Sequence, residues 1–328
     1  MKLGILFHDN CFDGMTSAGL FAAFFEKHVD ARAEVVFGGL THGPAGEAAE
    51  NAMETGPLGP GRLVGAVNAV VDFRYIAHPR LHWWFDHHAS AFDSAEDRRH
   101  FEADRSGQKY FDPGARSCAG FMARMLARDH GFDASPYADL IHWAEIIDSA
   151  SFRDPKMAVE LEEPALQVMT WIENSSDFAR RTEMIRRMTG EPLAALASDP
   201  SVRGDLEPVM ERHRAHIRAM RERHRMVGEV FFCDLTDRQV EAVNKFIPYY
   251  LEPRARYAVV VTRSGSRSKV SVGYSPWASP SGRSHDVSKI CERFGGGGHP
   301  VVGAVSLARD EHHRAVEIGE RIATELSR

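Results

Sequence analysis

The sequence predicts a two-domain α/β protein: an N-terminal domain on a parallel sheet with a helical continuation, then a linker helix and a smaller C-terminal α/β domain. Three observations predict it. At 328 residues the chain exceeds what one hydrophobic core usually serves. Its first part sets short, continuous apolar runs between helical patterns, as in a parallel sheet covered on both faces. A long polar helical stretch then precedes a second set of strand and helix signals, so the expected domains are 1–190, 191–228 (linker) and 229–328.

In order, residues 2–7 (KLGILF) read as a strand and 14–29 (GMTSAGLFAAFFEKHV) as a helix with an apolar stripe. Residues 33–38, 63–73 and 81–85 (LHWWF) read as further strands. From 116 to 190 the pattern is helical, over 117–132, 137–150, 161–175 and 178–190. Residues 205–228 read as one polar helix stopping at Gly228, of the kind that connects domains. Beyond it come a strand at 229–235, a helix at 238–251 and strands at 256–264 and 268–275. A Pro/Ser/Gly loop, a helix at 286–294, the run GGGGHP, a strand at 301–307 and a terminal helix complete the chain.

Composition narrows the function. Hydrophobic residues are 43% and charged residues 26%, ordinary for a globular protein. No apolar run nears the ~20 residues that cross a bilayer, so no membrane partner is expected. The start, MKLGILFHDN, turns polar too soon for a signal peptide. Cys11, Cys118, Cys233 and Cys291 are scattered without a CxxC pair and read as free thiols in a reducing cytoplasm. A net charge of −6 gives no general attraction to nucleic acid, so a polyanion must be held by local basic groups or metal ions.

Ligands of open parallel sheets sit at the carboxyl ends of the strands. Here those ends carry metal-capable residues: His8, Asp9, Cys11 and Asp13 after the first strand, Asp72 after the long apolar run, and Asp86, His87 and His88 after LHWWF. Asp148 ends a helical pattern. Any one of these aspartates could be a cap or loop residue. Several converging on one crevice suit Mn²⁺, Mg²⁺ or Fe²⁺, and two such ions can drive a phosphoryl displacement. Trp83, Trp84 and residues 142–147 are assigned to core packing.

The string FDHHAS resembles the signature of the DHH phosphoesterase superfamily, and FGGGGHPVVGAVSL that of its DHHA1 C-terminal domain. HDNCFDG, VVDF and IIDS fall in the order of the other superfamily motifs. The resemblance spans nearly the whole chain. It implies a DHH catalytic domain with two Mn²⁺ ions, Mg²⁺ being an alternative, and a DHHA1 substrate domain. Asp72 is then the carboxylate bridging both ions; Asp13, His87 and Asp148 complete one shell. His88 lies beside the scissile phosphate as charge stabiliser or proton donor, and Asp86 orients the histidines. The first motif departs from the family's D-x-D: Cys11 stands where the first carboxylate would be. His8 is the preferred ligand of the other ion, with Asp9 in reserve and Cys11 open.

In the C-terminal domain, glycines let backbone N–H groups approach a phosphate closely. The resemblance makes Gly296, Gly297, Gly298 and His299 a substrate clamp. Asp286 is the expected N-cap of the preceding helix; Arg283 and Lys289 lie near the run. Tyr274 falls where nucleotide-processing relatives carry an arginine; with Arg283 it is a candidate substrate contact, able to stack on a base or donate one hydrogen bond but not to replace a guanidinium fork. The linker's six arginines and three histidines (residues 210–226) have no interleaved aromatics for base stacking, which favours a solvated connector over a single-strand track. Residues 180–188 carry the same two readings.

The leading expectation is a two-Mn²⁺ phosphodiesterase acting on short single-stranded nucleic acid or a small nucleotide, in the cytoplasm and compatible with a homodimer. Two alternatives stand beside it: a phosphatase of nucleotide bisphosphates or polyphosphate, and a nucleotide sensor whose first metal site Cys11 has weakened.

Overall fold

A strand covered on both faces has no polar side to show, and the continuous apolar runs become strands for that reason. The computed structural model describes residues 1–41, 56–240 and 243–328, with Pro280 described by its backbone. A first unit comprises residues 1–151 and 163–206. It opens with β1 (Lys2–His8), α1 (Phe12–His28), β2 (Glu34–Leu40), β3 (Val67–Val71), β4 (Trp83–Asp86), α2 (Ala95–Ala103) and β5 (Lys109–Phe111). The five strands run parallel in the order β2-β1-β3-β4-β5. The sequence pattern misses α2 because it buries no residue; its start is fixed instead by Ser94, which accepts from the Asp97 N–H.

α1 is buried along most of its length, and Phe21 and Phe24 set their rings edge-on to Trp83 at 5.5 and 5.4 Å. Trp84, the next residue, faces the other side of the sheet and donates from Nε1 to the Phe73 carbonyl. Each such side chain contributes about 1.5–3 kcal/mol by burial. The tryptophan pair is core, as expected. Residues 142–147 are core only in part: Ala144 is buried, Trp143 and Ile147 are half-buried and His142 is exposed. After α3 (Cys118–His130) and α4 (Ala138–Asp148) comes α5 (Pro155–Glu160), which belongs to the second unit. α6 (Pro164–Asn174), α7 (Phe178–Gly190) and α8 (Leu193–Ser198) return to the first.

The second unit comprises residues 152–162 and 207–328. α9 (Pro200–Arg223) begins in the first unit and continues into it, followed by β6 (Arg225–Val227), β7 (Val230–Gln239), α10 (Ile247–Leu251), β8 (Tyr257–Arg263) and β9 (Arg267–Tyr274). Then come α11 (Val287–Glu292), β10 (Gly297–His299), β11 (Val302–Ala308) and α12 (His312–Leu326). The sheet order is β10-β11-β9-β8-β7-β6, with β7 and β8 parallel and the other pairs antiparallel.

Three expectations change here. The helix expected over 205–228 spans 200–223 instead, and Gly228, with φ +60°, turns the β6–β7 hairpin rather than stopping a helix. His213 packs inward, its Nε2 2.7 Å from the Val159 carbonyl, and His224, just past the helix, stacks on Phe231. The helix expected over 238–251 shrinks to α10, because β7 runs on to Gln239 and the Val240 N–H bonds the Arg263 carbonyl. Glu241 and Ala242 lie outside the described residues, and Pro248 sits at a helix start, where its fixed φ fits. Last, the glycine run, read only as a stretch between a helix and a strand, supplies a strand of its own: Gly297 and Gly298 enter β10 against β11.

Candidate metal centre

In the first sheet the chain leaves β1 toward β2 on one side and returns as β3 on the other. That topological switch point is where open parallel sheets bind ligands. The first turn after β1 is tight: a Cβ on Gly14 would lie 2.2 Å from the His8 carbonyl, so only glycine lets α1 start this close to the strand end. Asp72 follows β3 with φ +55°, a left-handed conformation that Asp tolerates better than most residues. β4 ends in Asp86, so His87 and His88 leave the sheet beside it.

These residues converge. His87 Nε2 lies 3.4 Å from Asp72 Oδ1, 3.4 Å from Asp148 Oδ2 and 3.7 Å from Asp13 Oδ2. His8 Nδ1 lies 3.5 Å from Asp72 Oδ2 on the opposite side. Three donor groups result, each with ligand atoms within 4.8 Å of one another: His8–Cys11–Asp72, Asp72–His87–His88 and Asp13–His87–Asp148. Neither oxygen of Asp72 nor Nε2 of His87 has a hydrogen bond, although all three atoms are buried. Buried polar atoms are rarely left so. A cation between them satisfies all three.

The surroundings hold the donors in place. His87 Nδ1 is 3.0 Å from the Ala115 carbonyl; that bond puts the ring proton on Nδ1 and leaves Nε2 as a donor to metal. Asp13 accepts the Cys118 and Ala119 N–H groups at the start of α3, at 2.6 and 2.9 Å. Asp86 Oδ1 accepts the His87 and His88 N–H groups and lies 2.7 Å from His88 Nδ1. His88 is the more open of the pair, its side chain 37% exposed.

The electrostatics show the same need for positive charge. Burial, then Asp72 and Asp148, push the Asp13 carboxyl well above the usual range. Burial and Asp72 also raise Asp148. Burial, Asp72, Asp13 and Asp148 push the Cys11 thiol up. Burial would raise Asp72 too, but His8 and His87 hold it at about 2. Burial would lower His87, yet Asp72, Asp13, the Ala115 carbonyl and Asp148 hold it up at about 10. Without an ion, protons supply the missing charge.

Asp9, the reserve ligand, is held elsewhere. Its carboxylate takes a bidentate pair from Arg181 of α7, Nε to Oδ1 and Nη2 to Oδ2 both at 2.9 Å, and both side chains are buried. The sequence alone leaves Arg181 between an electrostatic track and a solvated face. The signal for a third answer is its spacing: Arg181, Met184, Ile185 and Met188 form the buried stripe of α7. Its neighbours are likewise held, Arg180 by Asp205 and Arg187 by Glu191 and Asp199.

In the second unit, Gly295 (φ +78°) closes α11: its N–H bonds the Glu292 carbonyl and the Gly296 N–H bonds that of Cys291. A Cβ on Gly296 would meet the Ala304 carbonyl at 2.1 Å, and one on Gly298 (φ +152°) the Val302 carbonyl at 2.3 Å. Gly297 alone of the four-glycine run is non-left-handed with open space around it. His299 and Arg283 are exposed, and Asp286 caps α11 as expected. Tyr274 is buried against Tyr257, its hydroxyl donating to the Ser279 carbonyl, so it packs the core rather than offering a substrate contact.

No family model and no curated protein matches the sequence. Solved structures match in shape. A pGpG-specific phosphodiesterase from Vibrio cholerae gives a TM-score of 0.67 at 16% identity, over 99% of this chain and 98% of that one. An exopolyphosphatase-related protein from Bacteroides fragilis gives 0.58 at 12% identity, over 100% and 94%. RecJ of Thermus thermophilus, solved with Mn²⁺, gives 0.55 at 12% identity, over 99% of this chain but 52% of RecJ. The chain thus spans about half the length of RecJ, and its fold is the one these proteins share.

Proposed function

We propose that this chain, with its DHH/DHHA1 fold, is a metal-dependent phosphodiesterase that uses two divalent ions on short oligonucleotides or small nucleotides. The observation that carries the reading is the buried set of unsatisfied donors, Asp72 Oδ1 and Oδ2 and His87 Nε2, with donor groups on both sides of Asp72. Asp72 would bridge the ions, with His8 on one side and Asp13, His87 and Asp148 on the other. Mn²⁺ fits a set dominated by carboxylate and imidazole, and Mg²⁺ is the alternative. Bound there, the ions supply Lewis-acid stabilisation of phosphate oxygens and a lowered pKa for water.

The chain's own groups do the rest. The Ala115 carbonyl and the α3 N-terminus fix His87 and Asp13. The hydrogen bond to Asp86 raises the pKa of His88 against the effect of burial. His88 would then stabilise the phosphate's charge or protonate the leaving oxygen. His299 and Arg283 would bind substrate phosphate in the second unit, with Gly297 leaving room for it. The small-nucleotide reading takes its support from the pGpG-specific phosphodiesterase, whose fold this chain shares over 99% of its length.

The test is a panel of linear dinucleotides, 5′-labelled short RNA and DNA, nucleotide bisphosphates and tripolyphosphate, each with Mn²⁺, Mg²⁺ or chelator. Mn²⁺-dependent cleavage of the dinucleotides or short oligomers is expected. Release of phosphate from bisphosphates or tripolyphosphate alone would replace the reading with a phosphatase, and no turnover of any of them would leave a sensor.

A further inference from the structure

The two donor groups flanking Asp72 differ in chemistry. Asp13–His87–Asp148 offers two carboxylates and an imidazole, whereas His8–Cys11–Asp72 offers an imidazole, a thiol and a carboxylate. Cys11 is a free cysteine just before α1, in the turn that Gly14 keeps tight against His8. Asp9, which could have served in its place, is held by Arg181. The group also contains the orphaned buried carboxylate: Asp72 is 1% exposed and neither oxygen has a hydrogen bond. A soft sulfur donor is therefore placed within ligand distance of an unsatisfied hard one.

We propose that Cys11 is a thiolate ligand of the ion held by His8 and Asp72, and that the centre is heterometallic. This inference rests on the two-ion reading above. The thiol gives its proton to solvent as the sulfur–metal bond forms, so the site gains one negative charge from Cys11 as it gains the cation. Thiolate favours Fe²⁺, Co²⁺ and Zn²⁺ over Mn²⁺ and Mg²⁺. The His8–Cys11–Asp72 side takes an ion of that softer class, and the Asp13–His87–Asp148 side takes Mn²⁺ or Mg²⁺. Cys11 is then not a lapse from the D-x-D pattern but the residue that sets which metal enters.

Co²⁺ is the probe, because a cobalt–thiolate bond gives a near-ultraviolet charge-transfer absorption that oxygen and nitrogen ligands do not. Titration of the ion-free wild-type chain should bind two Co²⁺, with the absorption saturating at one per chain. Cys11→Ser and Cys11→Asp should both lose the absorption, and Cys11→Asp should still bind two ions. Loaded with one equivalent of Zn²⁺ and then dialysed against a large excess of Mn²⁺, the wild type should retain more Zn²⁺ than Cys11→Asp, and equal Zn²⁺ content in the two overturns the heterometallic centre. Two bound Co²⁺ without the absorption, or an absorption that survives in both variants, overturns the thiolate ligand and leaves the two-ion reading intact. Failure of the wild type to bind Co²⁺ overturns that reading as well.

Discussion

The carboxyl edge of the first sheet and the glycine strand of the second invite the same question and answer it oppositely. Along the first edge the side chains make poor sense without a ligand: Asp72 and His87 keep buried atoms unbonded, and burial and repulsion raise the pKa of Asp13 and Asp148. Along β10 most of the glycines make good sense without one. Gly295 ends a helix, while Gly296 and Gly298 clear the carbonyls of β11. A buried, unsatisfied polar atom points to a missing partner; a glycine points first to its own backbone. The difference favours the first unit for the proposed chemistry and leaves Gly297, His299 and Arg283 as the proposed clamp of the second.

Each of the following outcomes would break or sharpen that contrast. The largest expected effect is that of Asp72→Ala, which should take Mn²⁺-dependent hydrolysis to background; measurable turnover would show that the orphaned carboxylate is not the centre. Next is Arg181→Met, which removes the bidentate guanidinium partner of the buried Asp9 carboxylate. It should lower stability by about 3–5 kcal/mol, read by denaturant unfolding, since breaking one side of a buried pair exposes the full desolvation cost. An unchanged midpoint would mean that water reaches Asp9. His88→Ala should keep its metal content and slow turnover by ~10²-fold, the usual scale for a positioned acid or charge stabiliser. Normal kinetics would make His88 a structural residue.

The smallest effects test the glycine strand. Gly298→Ala forces a Cβ onto the Val302 carbonyl in a left-handed conformation and should cost roughly 1–3 kcal/mol of stability. Gly297→Ala should change stability by less than about 1 kcal/mol. If Gly297 leaves room for substrate, the same variant should still lose activity on nucleotides and keep it on a small chromogenic phosphodiester. Equal losses on both substrates would remove the second unit from substrate binding.

How far the sequence can be read follows the same division. Strands ending in Asp and His are legible because two imidazoles after LHWWF have no packing reason to be there. The choice among His8, Asp9 and Cys11 is not legible, because Asp9 is claimed by an arginine 172 positions away. Gly228 reads as a helix stop because a glycine after a polar helix usually is one, and only the β6–β7 pairing shows a hairpin. Residues 238–240 read as the start of a helix, but pairing with Arg263 carries β7 to Gln239 and the Val240 N–H bonds the Arg263 carbonyl. In each case a long-range partner overrides a local signal.

The most direct test of the central claim, that Asp72 joins two ion sites, is equilibrium dialysis at saturating Mn²⁺. The account predicts two ions per chain in the wild type, one in Asp148→Ala and none in Asp72→Ala. Retention of both ions by Asp72→Ala, with its fold intact by circular dichroism, would contradict it.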